Sequence, residues 1–138
     1  MSEETKILLV DDEELVSRSM EKTLLRAGFD VHTADSARAG LALFEVAREA
    51  GEPFDIAILD LNMPNLEGKP DADAGLGLLA KLLEIDAGLP VIILTAFDDV
   101  ARAKRAVAQG ARSYFVKGRE AGLVDLVNTI IKNHLVNK

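Results

Sequence analysis

The sequence predicts a doubly wound α/β domain, a parallel sheet with helices on both faces. Three observations carry this. Short runs of consecutive apolar residues recur along the chain, the signature of strands buried on both faces. Each run is followed by a stretch with apolar residues at helical spacing, and the alternation repeats five times. Four of the runs end in groups capable of chemistry: Asp11-Asp12, Asp60, Thr95 and Lys117.

The first strand is Ile7-Leu8-Leu9-Val10, ending in the acidic pair. A helix follows from about Glu13 to Ala27, with Val16, Met20, Leu24 and Ala27 on one face and Gly28 closing it. Asp30 to Ala34 is a short, more polar strand, which suits a sheet edge. Asp35-Ser36 offers a cap for a second helix, to about Ala50, with Leu41, Phe44 and Ala47 inward. Gly51-Glu52-Pro53 breaks it, and Ile56 to Leu59 forms the third strand, ending at Asp60. Pro64 opposes any quick return to regular structure, so Asn65 to Ala74 reads as a polar loop. A third helix is expected from Leu76 to Ile85, with Leu79, Leu82 and Leu83 inward. The fourth strand, Val91 to Leu94, ends in Thr95. Asp98 or Asp99 then caps a fourth helix that runs to Gln109. Ser113 to Val116 is the fifth strand, ending in Lys117, and a last helix runs from about Glu120 to Asn137 around Leu123, Leu126, Val127, Ile130 and Ile131.

A chain of 138 residues with 49% hydrophobic content suits one domain with one core, expected to span residues 1–138. No apolar run is long enough to cross a membrane, and the polar, acidic start Met-Ser-Glu-Glu-Thr-Lys is not a signal peptide, so a cytoplasmic protein is expected. With no cysteine, disulfides, thiolate zinc sites and thiol catalysis are excluded together, and His32 and His134 lie too far apart to read as a metal pair. The net charge of −7 argues against direct nucleic-acid binding by this chain. If the protein controls a gene, the part that reads DNA lies outside this sequence.

Each chemical group at a strand end has an ordinary explanation: Asp12 as a helix cap, Thr95 as a β-branched strand end, Lys117 as a solvated charge. In a parallel sheet, however, all of them fall on one edge, the edge where open α/β sheets bind ligands. Three carboxylates in one crevice repel unless neutralised. Without cysteine or clustered histidine, a hard cation such as Mg²⁺ fits, because it takes a few carboxylates and keeps waters that phosphoryl oxygens can replace. Lys117 adds a point charge suited to phosphate, and the Thr95 hydroxyl can donate a hydrogen bond. These are the parts of phosphoryl transfer, with Asp60 as acceptor.

On these motifs the chain resembles the receiver domain of a bacterial two-component response regulator, over nearly its whole length. Val10-Asp11-Asp12 matches the family's acidic pair, with Asp12 the direct metal ligand and Asp11 beside it. Asp60 in Leu-Asp-Leu-Asn-Met-Pro matches the phosphoacceptor, and Asn62 the residue whose backbone carbonyl binds the metal. Thr95-Ala96 matches the switch hydroxyl and its small neighbour, Tyr114 the switch aromatic, and Lys117 the family lysine. The resemblance implies a flavodoxin-like fold with strand order 2-1-3-4-5 and a sensor histidine kinase or histidine phosphotransfer protein as donor. It also implies self-catalysed phosphorylation and dephosphorylation rather than turnover of a substrate. The switch would act through the fourth helix, fifth strand and last helix, on an output domain or partner or in a homodimer. Positions two past the phosphoacceptor and two past the switch hydroxyl flank the path of hydrolytic water. Here they are Asn62, which can orient a water, and Phe97, which either covers the phosphoryl group or faces the fourth helix or a partner. Leu15, off the core stripe of the first helix and near the acidic pair, is a candidate docking contact for the donor.

The chain departs from the family pattern twice. Gly118 stands where the family has proline after the lysine. Between Pro64 and Gly75 there are roughly seven extra residues, either a tolerated surface insertion or a lip controlling access. Two enzyme readings compete less well. Gly75-Leu76-Gly77-Leu78-Leu79-Ala80 fits a dinucleotide-binding fingerprint, but that motif should join a strand directly to its helix. A haloacid-dehalogenase-like aspartyl phosphatase shares the Asp, Thr, Lys and Mg²⁺, but it needs a second acid where this chain has the amide Asn62. A non-phosphorylated interaction module would not need the intact acidic pair.

Overall fold

The structure, a computed structural model, describes residues 4–136. The N-terminal residues 1–3 and the end of the expected last helix at Asn137 lie outside the described residues. The five strands of the main sheet are β1 (Lys6–Val10), β2 (Asp30–Ala34), β3 (Ile56–Asp60), β6 (Val91–Thr95) and β7 (Ser113–Val116), all paired in parallel in the order β2-β1-β3-β6-β7. This is the flavodoxin-like order, with the mixed strand β2 at the edge. Between β3 and β6 lies a separate two-stranded ribbon, β4 (Met63–Pro64) and β5 (Pro70–Asp71). The helices are α1 (Glu14–Arg26), α2 (Ala37–Glu49), α3 (Ala74–Ile85), α4 (Val100–Ala108) and α5 (Glu120–Val136), with a 3₁₀ turn at Phe97–Asp99 before α4.

Strand alternation builds two cores on the two faces of the sheet. Leu8, Val10, Ala57, Leu59, Val91 and Ile93 face α2, α3 and α4, where they meet Phe44, Leu78, Leu82, Ala103 and Ala106. Ile7, Leu9, Ile56, Ile58, Ile92 and Leu94 face α1 and α5, where they meet Met20, Leu24, Leu123, Val127 and Ile130. Helix stripes largely agree with the sequence reading, but Ala27 is exposed as the C-cap of α1 rather than inward, and Val16, Leu41, Leu83, Leu126 and Ile131 are only partly buried. Ser36 caps α2 as expected, its hydroxyl accepting the Ala39 N–H at 3.1 Å.

Three expectations are corrected. Residues 65–74 are not a plain loop: β4 and β5 form an antiparallel hairpin in which Pro64 pairs with Pro70 and the Asn65 N–H bonds the Lys69 carbonyl at 2.8 Å. Proline is tolerated because this ribbon is all edge and needs few donors. The Asn65 side chain supplies the rest, accepting from the Glu67 and Lys69 amides and donating to Asp71 Oδ2. The third helix starts at Ala74, two residues before Leu76, so the Gly-x-Gly-x-x-Ala segment lies inside a helix behind a hairpin. Gly75 is required there by packing, since a Cβ would come within 2.2 Å of the Asp60 carbonyl oxygen. Finally, neither Asp98 nor Asp99 caps the fourth helix through its side chain; Asp99 holds the cap position but gives its carboxylate to Arg102.

Candidate functional site

The carboxyl ends of β1, β3, β6 and β7 meet in a cleft of about 410 Å³, lined by Asp12, Glu13, Asp60, Asn62, Thr95, Ala96 and Lys117 among others. Backbone pairing sets the positions. The Asp11 N–H bonds the Ala34 carbonyl at 3.0 Å, Asp60 sits opposite Leu94, and the Lys117 N–H bonds the Thr95 carbonyl at 2.9 Å. Asp60, on the central strand, is 5% exposed. A larger groove of about 770 Å³ runs between α1 and α2, ending at Asp11 and Asp12. Its lining carries Asp11, Asp12, Glu14, Arg18, Glu21 and Asp35, but the lysine that bridges several acids stands in the smaller cleft.

Lys117 is the hub. Its Nζ lies 2.9 Å from Asp60 Oδ2, 2.5 Å from Glu13 Oε1 and 3.1 Å from Asp11 Oδ2. Carboxylate oxygens of Asp11, Asp12 and Asp60 all lie within 4.8 Å of one another. One cation thus serves an excess of acids. Burial alone would lower the Lys117 pKa, but its hydrogen bonds to Glu13 and Asp60 and the charges of Asp60 and Asp11 raise it. Burial and the Asp11 charge push Asp60 up to about 7, against the pull of Lys117. The two shifts do not contradict each other: the surrounding acids satisfy the lysine, while the lysine cannot satisfy all of them. Burial, then the charge of Asp11, also raises Asp12.

The bland role for Asp12 fails, because α1 is capped at Glu13 with no side-chain bond. Asp11 does the local work, its Oδ1 accepting the Glu13 N–H at 2.8 Å. Its other oxygen, Oδ2, is buried with no hydrogen-bond partner, near the Lys117 ammonium but outside hydrogen-bonding geometry. A buried, unpartnered carboxylate oxygen in an over-acidic cluster of hard donors fits a divalent cation such as Mg²⁺.

The Thr95 hydroxyl, buried, donates to the Asp99 carbonyl at 3.1 Å and the Ala96 carbonyl at 3.2 Å. Tyr114 on β7 is partly buried against the core face shared with α4. Among the described residues every peptide bond is trans, and Gly118 takes φ 93°, a left-handed turn that only glycine adopts freely. With this turn, Lys117 reaches the cleft without the family's proline. Phe97 is 80% exposed and outside the cleft lining, and Leu15 is 82% exposed on α1. Two residues were not singled out from the sequence. Glu13 could have been, standing in the acidic run from Asp11 to Glu14; for Arg102 the i,i+3 spacing shows Asp99 but not Asp73, which lies 29 residues away.

Fold and cleft together define a flavodoxin-like domain with an acidic, lysine-bridged site at its switch point. The model of the response regulator receiver domain matches residues 7–128, and the chain belongs to that family of two-component signalling domains. It is 39% identical to the response regulator protein FleR of Pseudomonas aeruginosa over 88% of this chain and 24% of that protein. It is 30% identical to the chemotaxis protein CheY of Treponema pallidum over 81% of this chain and 72% of that one. A receiver domain protein from Clostridium thermocellum superposes with a TM-score of 0.81 at 29% identity, covering 97% of this chain and 99% of that one. The chain spans about a quarter of the length of FleR and of the Escherichia coli regulatory protein AtoC. Among the described residues, no helix is long and apolar enough to cross a membrane.

Proposed function

We propose that this domain is a cytoplasmic phosphoacceptor switch, with Asp60 taking a phosphoryl group from a sensor histidine kinase or a histidine phosphotransfer protein. The observation that carries the reading is the Lys117 ammonium 2.9 Å from Asp60, where the carboxylates of Asp11, Asp12 and Asp60 converge. An Asp60 oxygen attacks phosphorus in line; the new O–P bond forms as the P–N bond breaks, and the electron pair leaves with the donor imidazole. Lys117 moves no proton; it stays charged and holds Asp60 and the incoming oxygens. Asp11, Asp12, Asp60 and the Asn62 carbonyl would hold Mg²⁺, which supplies charge neutralisation at the transferred group. Asn62 is an amide, so it lacks the acid that a phosphatase of the haloacid-dehalogenase kind requires.

The switch reading follows from Thr95. Its single hydroxyl proton now serves the start of α4; a phosphoryl oxygen on Asp60 would compete for it. Thr95 moves toward the cleft, and Tyr114 fills the space it leaves. The face of α4, β7 and α5 then changes, and it serves an output domain, a partner or a homodimer. The test is acetyl phosphate with Mg²⁺, read by mass spectrometry. One acid-stable, base-labile phosphoryl group is expected on the protein and none on Asp60→Asn; normal labelling of that variant would remove the proposal.

A further inference from the structure

The inserted hairpin is fastened at both ends. Arg38 of α2 donates through Nε to the Leu66 carbonyl at 2.9 Å, and its guanidinium lies beside Gly68. At the other end stands Arg102 of α4. It donates to the Ala72 carbonyl, to Asp73 Oδ1 at 2.6 Å and to Asp99 Oδ2 at 2.5 Å. Its side chain is only 21% exposed, low for an arginine on a surface helix. Asp99 is also the residue whose carbonyl takes the Thr95 hydroxyl. A continuous set of bonds therefore runs from the cleft through Thr95, Asp99 and Arg102 to Ala72 and Asp73.

We infer that Arg102 is a positioning residue that locks the inserted hairpin to the start of α4, and that phosphorylation of Asp60 opens this lock. The inference rests on the phosphoacceptor reading of Asp60. Its physical basis is the geometry of two donors. Thr95 has one hydroxyl hydrogen, shared between the Asp99 and Ala96 carbonyls, and giving it to a phosphoryl oxygen withdraws it from Asp99. Arg102 is a rigid planar fork carried on α4, so it cannot follow a displaced first turn of α4 and still meet Asp99, Ala72 and Asp73 together. Met63, just ahead of residues 65–73, is buried in the core, but within that segment Leu66 packs only partly against it, β4 and β5 are two residues each and Arg38 grips the tip. Once released, residues 65–73 present a surface that depends on the phosphorylation state.

Hydrogen exchange reads this directly, because the amides of Asn65, Glu67, Gly68, Lys69 and Asp73 are all bonded within the hairpin. In the wild type, exchange over 65–73 is expected to rise about tenfold when acetyl phosphate and Mg²⁺ label Asp60. In Arg102→Ala it is already fast without the donor and rises no further, while β1 and β3 keep their protection. Arg102→Lys, a point charge without the fork, falls between. Thr95→Val, which removes the hydroxyl, speeds the hairpin in unphosphorylated protein. Unchanged hairpin exchange in protein shown to be phosphorylated overturns the inference, as does a uniform rise across every helix in Arg102→Ala. If Asp60 takes no phosphoryl group, the phosphoacceptor reading fails. The lock is then judged on Thr95→Val alone, and an unmoved hairpin there overturns it.

Discussion

The two flanks of the cleft are built differently. On the flank of β1, β3 and α1, the acids sit on central strands, and α1 behind them buries Met20 and Leu24 against the chains of α5. On the flank of β6 and α4, the chain passes through an exposed 3₁₀ turn into a nine-residue helix whose buried residues are two alanines, Ala103 and Ala106. Apolar burial scales with area, so α4 is held mostly by polar contacts at its start, and α1 mostly by its core. Segments with few buried apolar atoms are those that open locally. The acids lie on the flank with the larger apolar core, and the proposed switch on the flank with the smaller one.

The largest test of this contrast is Lys117→Ala. It strips the only ammonium from a nearly buried acidic cluster. Without Mg²⁺ at a pH above the Asp60 value of about 7, where its carboxylate is charged, it should cost about 3 kcal/mol, seen as a lower denaturation midpoint, and added Mg²⁺ should restore much of it. A neutral effect in chelator would show that Asp60 is not held as a charge.

Next comes pH. In the folded, metal-free chain Asp60 keeps its proton to about 7, against an ordinary 3.8. Between those values the folded state binds more protons than the unfolded one. The contribution of this group to stability is therefore full below the ordinary value and is lost as pH rises through about 7. The stability difference between wild type and Asp60→Asn should move against the wild type over that window, and Mg²⁺ should raise the midpoint more above it than below. A flat difference across the window would place Asp60 outside the cluster's repulsion.

Smaller effects should separate the flanks. Ala103→Gly should cost about 1 kcal/mol and speed amide exchange in α4 while leaving α1 protected. A rise in α1 as large as that in α4 would mean the flanks do not open separately. Smallest are the exposed side chains. Leu15→Ala should slow transfer from a cognate kinase and not from acetyl phosphate; equal slowing would indicate a folding defect. Phe97, exposed and outside the cleft, suits a partner contact better than a shield. Phe97→Ala should leave the phosphoprotein half-life within about twofold, and a marked shortening would restore the shielding role.

The contrast also explains what the sequence disclosed. Buried parallel strands carry no polar alternation, so Ile7 to Val10, Ile56 to Leu59 and Val91 to Leu94 were plain, and each pointed to the group at its end. Asp60, Asp11, Asp12, Thr95 and Lys117 all meet in the cleft because one sheet edge collects them. The hairpin was not legible. It has two-residue strands, a proline in each and an asparagine side chain in place of a ladder, so no periodicity marks it. Asp99 was read as a cap, since aspartate before a helix usually is one. Its carboxylate instead meets Arg102, which a distant segment, Ala72 and Asp73, also holds. The Lys117 loop needed the backbone itself, because the left-handed turn at Gly118 does the positioning without the family's proline.

The close contact at Gly75 has a consequence for how this chain can vary. Its missing Cβ lets α3 rest on the carbonyl of Asp60, and its N–H bonds the Leu61 carbonyl at 2.9 Å. The return point after the hairpin is thereby pinned to the backbone of Asp60 itself. A change of length among the intervening residues is therefore expected to leave the Asp60 carboxylate in place, provided the chain re-enters at a glycine.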